Sequence, residues 1–492
     1  MRFCPLDRDL AWAQRYSLPL GGFHMRALIS FLLATAVAVP ALAQPLDPGQ
    51  KRFHDLFKEM VETNTTLSAG SCTALADKIA GHLKQAGYPD SDIHLFQGPG
   101  HPKEGGLVAV LPGSDAHAKA ILLLGHIDVV EAKREDWTRD PFKLVEEKDH
   151  FWGRGTGDMK SLAAAWIDTM MRLKEEKFAH SRTIKMALTC GEETSTAFNG
   201  ASYLASHERQ LIDAEFALNE GGGGRLGADG KPLIMTVQAA EKFPQNYTLE
   251  VTNPGGHSSR PVKKNAIYQL AAGLTKISQY EFPIESTDIS KEYFRKMAGQ
   301  EKGAMGAAMA AFAANPKDAK AAAEIATDPS FNGMLHTTCV ATLLSAGHAN
   351  NALPQRADAN INCRIFPGTT PEQVQGRLAE VVGDPEIKIT LTDHRSNVLK
   401  GPQPLNPKVF APVEQLTAKY WPGVPVVPLL QPGATDGAFL TPVGIPTYGV
   451  SGIFADADGG GIHGLNEHVR IDAVYKGRDF AYEIVKIYAN EK

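Results

Sequence analysis

Six ionisable residues stand where short apolar runs stop. The run 120–124 leads into Gly125-His126-Ile127-Asp128-Val129-Val130, and the glycine-rich turn Gly153-Arg154-Gly155-Thr156-Gly157 delivers Asp158 at the head of an amphipathic segment. The run 183–189 leads into Cys190-Gly191-Glu192-Glu193, and the run 215–218 into Asn219-Glu220-Gly221-Gly222. An imidazole with several carboxylates is the ligand set of a zinc-like ion in a catalytic rather than a structural setting. Each acid alone reads as a helix cap or a surface charge. Their repetition at successive run ends is what points to a site. If His126, Asp158, Glu192, Glu193 and Glu220 cluster in a buried place, several carboxylates must take up protons unless cations join them. Divalent ions are the simplest compensation. In an extended segment His126 and Asp128 point to the same side, so Asp128 can hold the imidazole in one tautomer.

For these residues to meet, the runs that precede them must lie side by side. The runs 106–111, 120–124, 183–188 and 215–218 alternate with helical patterns, which predicts an α/β domain around a buried, largely parallel sheet. The carboxyl ends of parallel strands share one edge, where ligands bind. After Lys160, residues Leu162, Trp166, Met170 and Leu173 form one apolar helix face to lay on that sheet. From about Tyr247 the pattern changes. Residues 247–251 alternate like a half-exposed strand, a helix follows near 265–277, and further strands fall within 337–366 and 387–392. This predicts a smaller α+β unit inserted between two pieces of the first domain, with boundaries at 44–242, 243–398 and 399–492. The Ala-rich stretch 304–326 reads as a helix pair, most simply a solvated connection.

The chain has 492 residues, 50 Lys+Arg against 55 Asp+Glu and a net charge of -5, with no basic tract to collect phosphates. Nucleic acid is therefore a poor partner. No His-Glu-x-x-His, Gly-x-Ser-x-Gly or P-loop pattern is present, and the 153–157 turn runs into Asp158, which would repel a pyrophosphate. Arg26, an apolar run at 27–39 and Ala41-Leu42-Ala43 have the order of a cleavable export signal at 1–43, with Met25 as an alternative start. The run is too short to span a bilayer, and nothing later is long and apolar enough. The expected location is periplasmic or secreted. Four cysteines follow the leader, too scattered for a disulfide framework. Cys339 and Cys363, in neighbouring strand-like runs, read either as a pair or as buried thiols.

In family order these motifs resemble the M20 metallopeptidases, which include glutamate carboxypeptidases, aminoacylases, acetylornithine deacetylases and succinyl-diaminopimelate desuccinylases. The matching segments are His126 with Asp128, the Gly153 to Lys160 turn, Glu192-Glu193, Glu220, Gly255-Gly256-His257-Ser258-Ser259, and His463-Gly464-Leu465-Asn466-Glu467. The resemblance implies a zinc-exopeptidase-like catalytic domain with an inserted lid and dimerisation domain, and two divalent ions, usually zinc, with cobalt or manganese as alternatives. It implies that Asp158 bridges both ions, with His126 and Glu220 at one and Glu193 and His463 at the other. Glu192 would be the general base and Asp128 the orienter of His126. His257 would donate to the oxyanion, in many members within the partner subunit's site. Arg364 would hold a substrate carboxylate and, on a weaker match, Asn351 would contact the substrate nearby. Ala434, where many members have glycine, departs from the pattern. The expected activity is hydrolysis of an amide beside a free carboxylate in a small peptide or N-acyl amino acid. A metallocarboxypeptidase is the first reading, an N-acyl amino acid deacylase the alternative, and an inactive binding protein the outsider.

Overall fold

The computed structural model describes residues 46–194, 198–392 and 404–491. The expected leader, 1–43, and the expected boundary between 398 and 399 lie outside them. From Asp47 onward the chain is one compact unit. Its fold is mixed α/β, with a large, largely parallel sheet flanked by helices.

Among the described residues ten strands form that sheet. At its centre Ile184–Thr189, Ile121–His126, Phe216–Asn219 and Thr447–Gly449 lie mutually parallel. Gly106–Leu111 and Ile93–Phe96 extend one side antiparallel. Pro232–Glu241 pairs with Gly223–Leu226 in a hairpin on the other side and takes Val426–Gln431 as a parallel neighbour. The central strands are nearly all buried, as parallel strands covered on both faces must be. The helix Lys160–Glu175 buries Leu162, Trp166, Met170 and Leu173, the face read from their spacing, and packs against Ile471–Asn490.

A second sheet of four antiparallel strands runs Thr338–Ala346, Arg356–Ile365, Phe243–Thr252, Lys388–Thr392. Its alternating burial gives it a core of its own with the helices Ala266–Ser278 and Pro371–Val382. The inserted span is nevertheless divided between two cores. The helices Asp288–Met297, Gly303–Ala314 and Ala319–Ile325 bury Phe294, Met309, Phe312 and Ile325 in the same cluster as the large sheet. The Ala-rich stretch is thus a helix pair as expected, but not a solvated connection. Alanine's small side chain lets its helices approach closely, and the few large residues between do the packing.

All four described cysteines are paired, which corrects the expectation that they form no framework. Cys339 and Cys363 face each other across adjacent strands, and Cys72 joins Cys190 across a separation of 118 residues. The second bridge ties the start of the helix Cys72–Gln85 to the turn that carries Glu192 and Glu193. Replacing Cys72 and Cys190 by Ala should cost about 2–5 kcal/mol. Calorimetry without reductant would detect this as a lower Tm, and an unchanged Tm would count against a stabilising bridge.

Candidate metal centre

Three parallel strands deliver their last residues to one edge. His126 ends Ile121–His126, Glu192 and Glu193 follow Ile184–Thr189, and Glu220 follows Phe216–Asn219. Gly191 makes the turn possible: its φ is +93°, and a Cβ there would lie 1.7 Å from the Phe198 carbonyl oxygen. Asp158 arrives from the 153–157 turn, and His463 from a loop in which it adopts a left-handed φ of 61°. Non-glycine residues held this way collect at functional positions.

Asp158 lies between two histidines. His126 Nε2 is 3.1 Å from its Oδ1, and His463 Nε2 is 3.2 Å from its Oδ2. His126 Nε2 is also 3.6 Å from Glu220, and His463 Nε2 is 2.8 Å from Glu193. One ligand atom each from His126, Asp158 and Glu220 lie within 4.8 Å of one another, as do those of Asp158, Glu193 and His463, and of His126, Glu192 and Glu193. His126 Nδ1 is 3.1 Å from the Asp128 backbone carbonyl and 3.6 Å from its carboxylate. The carbonyl is therefore the nearer anchor of the tautomer, which refines the expected role of Asp128. Its carboxylate instead accepts the Glu193 and Glu192 N–H groups at 3.1 and 3.4 Å, joining two strand ends.

The charges do not balance within the protein. Burial, joined by the Asp158 charge, raises Glu220 to about 8. Burial and then the Glu220 charge push Glu192 well above the usual carboxylate range. Burial acts against Asp158 too, but hydrogen bonds from His126 and His463 outweigh it and hold that carboxyl low. Hydrogen bonding to Asp158 and then Glu193 lifts His463 to about 10. Imidazole nitrogens and carboxylate oxygens that converge with excess negative charge fit divalent cations of the zinc type.

Two carboxylates outside the expected set hold this arrangement. Glu467 is fully buried and accepts from Arg154 at 2.6 Å, from Gly155 N–H at 3.0 Å, from Gly157 N–H at 2.7 Å and from Asp158 N–H at 3.0 Å. Asp436 accepts from Thr189 Oγ1 and Asn199 Nδ2, both at 2.8 Å. Glu467 lies in a motif visible in the sequence, yet a motif does not tell a ligand from a support.

Two cavities open on the centre. One of about 1010 Å³ is lined by Glu192, Glu193 and His463 and by Arg364, with Asn246 and Asn362 beside it. The other, of about 640 Å³, has Asp158 and Glu220 in its wall and Leu162, Tyr293, Phe331 and Met334 among its apolar lining. His257 and Asn351 line neither. They sit in the exposed ribbon where Gly256–His257 pairs with Ala352–Leu353, and the Ser258 N–H donates to the Asn351 carbonyl. His257 Nδ1 accepts from Ser259. Within one chain the structure does not bring these two to the centre.

Residues 122–487 match the model of peptidase family M20/M25/M40. The chain belongs to that family. Among curated relatives, this M20 chain is 26% identical over 387 residues to the human N-fatty-acyl-amino acid synthase/hydrolase PM20D1, covering 76% of this chain and 75% of that protein. It is 28% identical over 388 residues to a probable carboxypeptidase S-like 2 of Dictyostelium discoideum, covering 76% and 72%. Its fold is similar to that of the M20 family metallo-carboxypeptidase Sso-CP2 of Sulfolobus solfataricus, with a TM-score of 0.69, 19% identity and coverage of 90% and 100%. It is also similar to that of a Bacillus subtilis protein described as a dinuclear metal binding M20 peptidase, with a TM-score of 0.55, 14% identity and coverage of 89% and 98%. The M20 chain is thus a metallopeptidase-type hydrolase.

Glu467→Gln turns an amide donor toward backbone N–H groups and leaves Arg154 without its ionic partner, the Gly464 carbonyl remaining as an acceptor. The expected loss is about 3–5 kcal/mol of stability, the range for breaking a buried pair. Denaturant unfolding of the two proteins would measure it, and a difference within 1 kcal/mol, the scale of an exposed pair, would contradict the supporting role.

Proposed function

We propose that this chain is an exported dinuclear-metal hydrolase that cleaves an amide bond beside a free carboxylate. The observation that carries the reading is the placement of Glu192: a half-buried carboxylate in a cavity it shares with Glu193, His463 and Arg364. Asp158 would bridge two ions, His126 and Glu220 completing one site and Glu193 and His463 the other. Zinc suits this set, with cobalt or manganese as substitutes. When bound, the ions supply Lewis-acid polarisation of the scissile carbonyl and lower the pKa of water. Glu192 accepts the proton of the attacking water on a carboxylate oxygen and passes it to the departing nitrogen. Burial, which raises its pKa, suits a group that must both take and return a proton. Arg364 presents a planar fork to the substrate carboxylate. Asp128 orients His126 and does not meet the substrate.

A metallocarboxypeptidase and an N-acyl amino acid hydrolase share this centre. The second reading draws support from the 640 Å³ cavity, where Leu162, Tyr293, Phe331 and Met334 offer an apolar patch for a large acyl group, with Asp456 and His468 elsewhere in its wall. Both disulfides suit an oxidising, extracytoplasmic compartment, and no described helix is long and apolar enough to cross a membrane. A homodimer is supported by the edge strand Thr338–Ala346, which exposes Val340, Leu343 and Leu344. In such a dimer His257 would act in the partner subunit's site as an oxyanion donor, with Asn351 near it.

Glu192→Gln should keep its metal while kcat falls about 10²- to 10⁴-fold, measured by metal analysis alongside a hydrolysis assay. Near-normal turnover in that variant would remove Glu192 from the mechanism, and full activity in chelated, demonstrably metal-free protein would remove the ions. Arg364→Met should lower kcat/KM roughly ten- to hundredfold, the loss of a charge-assisted contact, for substrates with a free carboxylate and not for their amides. Met334→Trp, which narrows the apolar cavity, should lower kcat/KM for long-chain N-acyl amino acids by about tenfold or more relative to N-acetyl ones. An equal effect on both chain lengths would detach the cavity from acyl recognition.

A further inference from the structure

A second cluster of ligand-type side chains lies outside the centre. The strands His150–Trp152 and His468–Arg470 pair antiparallel, with Trp152 opposite His468 and His150 opposite Arg470. Alternation therefore puts His150, Trp152, His468 and Arg470 on one face. The His150 and His468 ring centroids are 5.1 Å apart. Asp456, just beyond the strand Phe454–Ala455, reaches the same face, with Oδ2 2.9 Å from His150 Nε2. One ligand atom each from His150, Asp456 and His468 lie within 4.8 Å of one another.

Both imidazoles are held from behind. His468 Nδ1 is 3.0 Å from the Asn466 backbone carbonyl, and His150 Nδ1 is 2.8 Å from the Asp149 carboxylate. An acceptor at Nδ1 keeps the proton there and leaves Nε2 as the ligand nitrogen, the usual support of a metal-binding histidine. The side chains of His150, Asp456 and His468 are 16, 19 and 13% exposed, sheltered yet reachable. Charge points the same way. Asp149, Asp456 and Asp458 surround the cluster, and Arg470, 2.7 Å from Asp149 and 3.7 Å from Asp456, is the cation among them. With neutral imidazoles one arginine leaves two negative charges, which a divalent ion would cancel.

We propose that His150, Asp456 and His468 hold a further divalent ion of the zinc type, with a carboxylate oxygen of Asp458, 3.7 Å from His468 Nε2, as the fourth donor at the rim. Such an ion would cross-link the loop that carries His463 and Glu467 to the strand that leads into the Gly153-to-Asp158 turn. Its role is therefore to staple two of the segments from which the catalytic centre is assembled. It does not depend on how many ions that centre takes.

The test is metal stoichiometry in the full-length processed protein, stripped with chelator and then titrated with zinc alone by calorimetry, for wild type, His150→Ala/His468→Ala and Asp456→Asn. The expected result is one equivalent fewer in the double variant than in wild type, a weaker site in Asp456→Asn, and a Tm rise on adding zinc that is smaller in both variants. The comparison is a difference, so it holds whether the catalytic centre binds two ions, one or none. A His463→Ala variant reports that centre separately. Equal stoichiometry and equal zinc-induced Tm shifts in wild type and in the folded Asp456→Asn protein would overturn the proposal and leave an ion-paired histidine cluster.

Discussion

The edge where the parallel strands end depends on keeping one carboxylate, Asp158, ionised and still. Asp158 faces a histidine with each oxygen, 3.1 Å on one side and 3.2 Å on the other. A carboxylate in that position must be buried enough to exclude competing water and must have a fixed backbone, since a small rotation would lose both partners. Glu467 meets the second requirement by accepting the Gly157 and Asp158 N–H groups while Arg154 neutralises it. The anchor is thus itself a buried charge, stable only because four donors surround it.

That arrangement concentrates negative charge beyond what the protein compensates. Glu192, Glu220 and Asp436 are all raised by burial, with neighbouring acids adding to it. A fold meant to operate without cations would gain by replacing some of these acids. Grouped at a single edge around two imidazoles, they form a site whose charge divalent cations would balance. The same logic, weaker because arginine and solvent are nearer, applies to the histidine pair on the small sheet beside it.

The walls of the two cavities come from elsewhere. Arg364 is carried by the four-stranded sheet, paired with Thr338 and Pro244, and faces the centre across the larger cavity. Residues 288–334 of the inserted span instead share the large core and wall the smaller cavity with Tyr293, Phe331 and Met334. The insertion therefore contributes to both sides of the centre.

Much of this was legible in the residues. Runs at 106–111, 121–126, 184–189 and 216–219 are apolar because parallel strands are covered on both faces, and acids at their ends must meet because those ends share an edge. Local pattern therefore determined the parallel core, the helix after Lys160 and the members of the acidic cluster. Contacts between distant segments left no such trace. Cys72 and Cys190 lie 118 residues apart, Glu467 reaches back to Gly155 and Asp158, and the Ala-rich helices found the large core. The exposed ribbon of His257 could not be placed from its motif, because a motif records chemistry and not position in the fold. Sequence by itself determined which side chains can do the chemistry, since that follows from residue type and strand period. Tertiary structure decided which carboxylates face a histidine and which only hold backbone, because that choice depends on distances of a few ångströms between segments hundreds of residues apart.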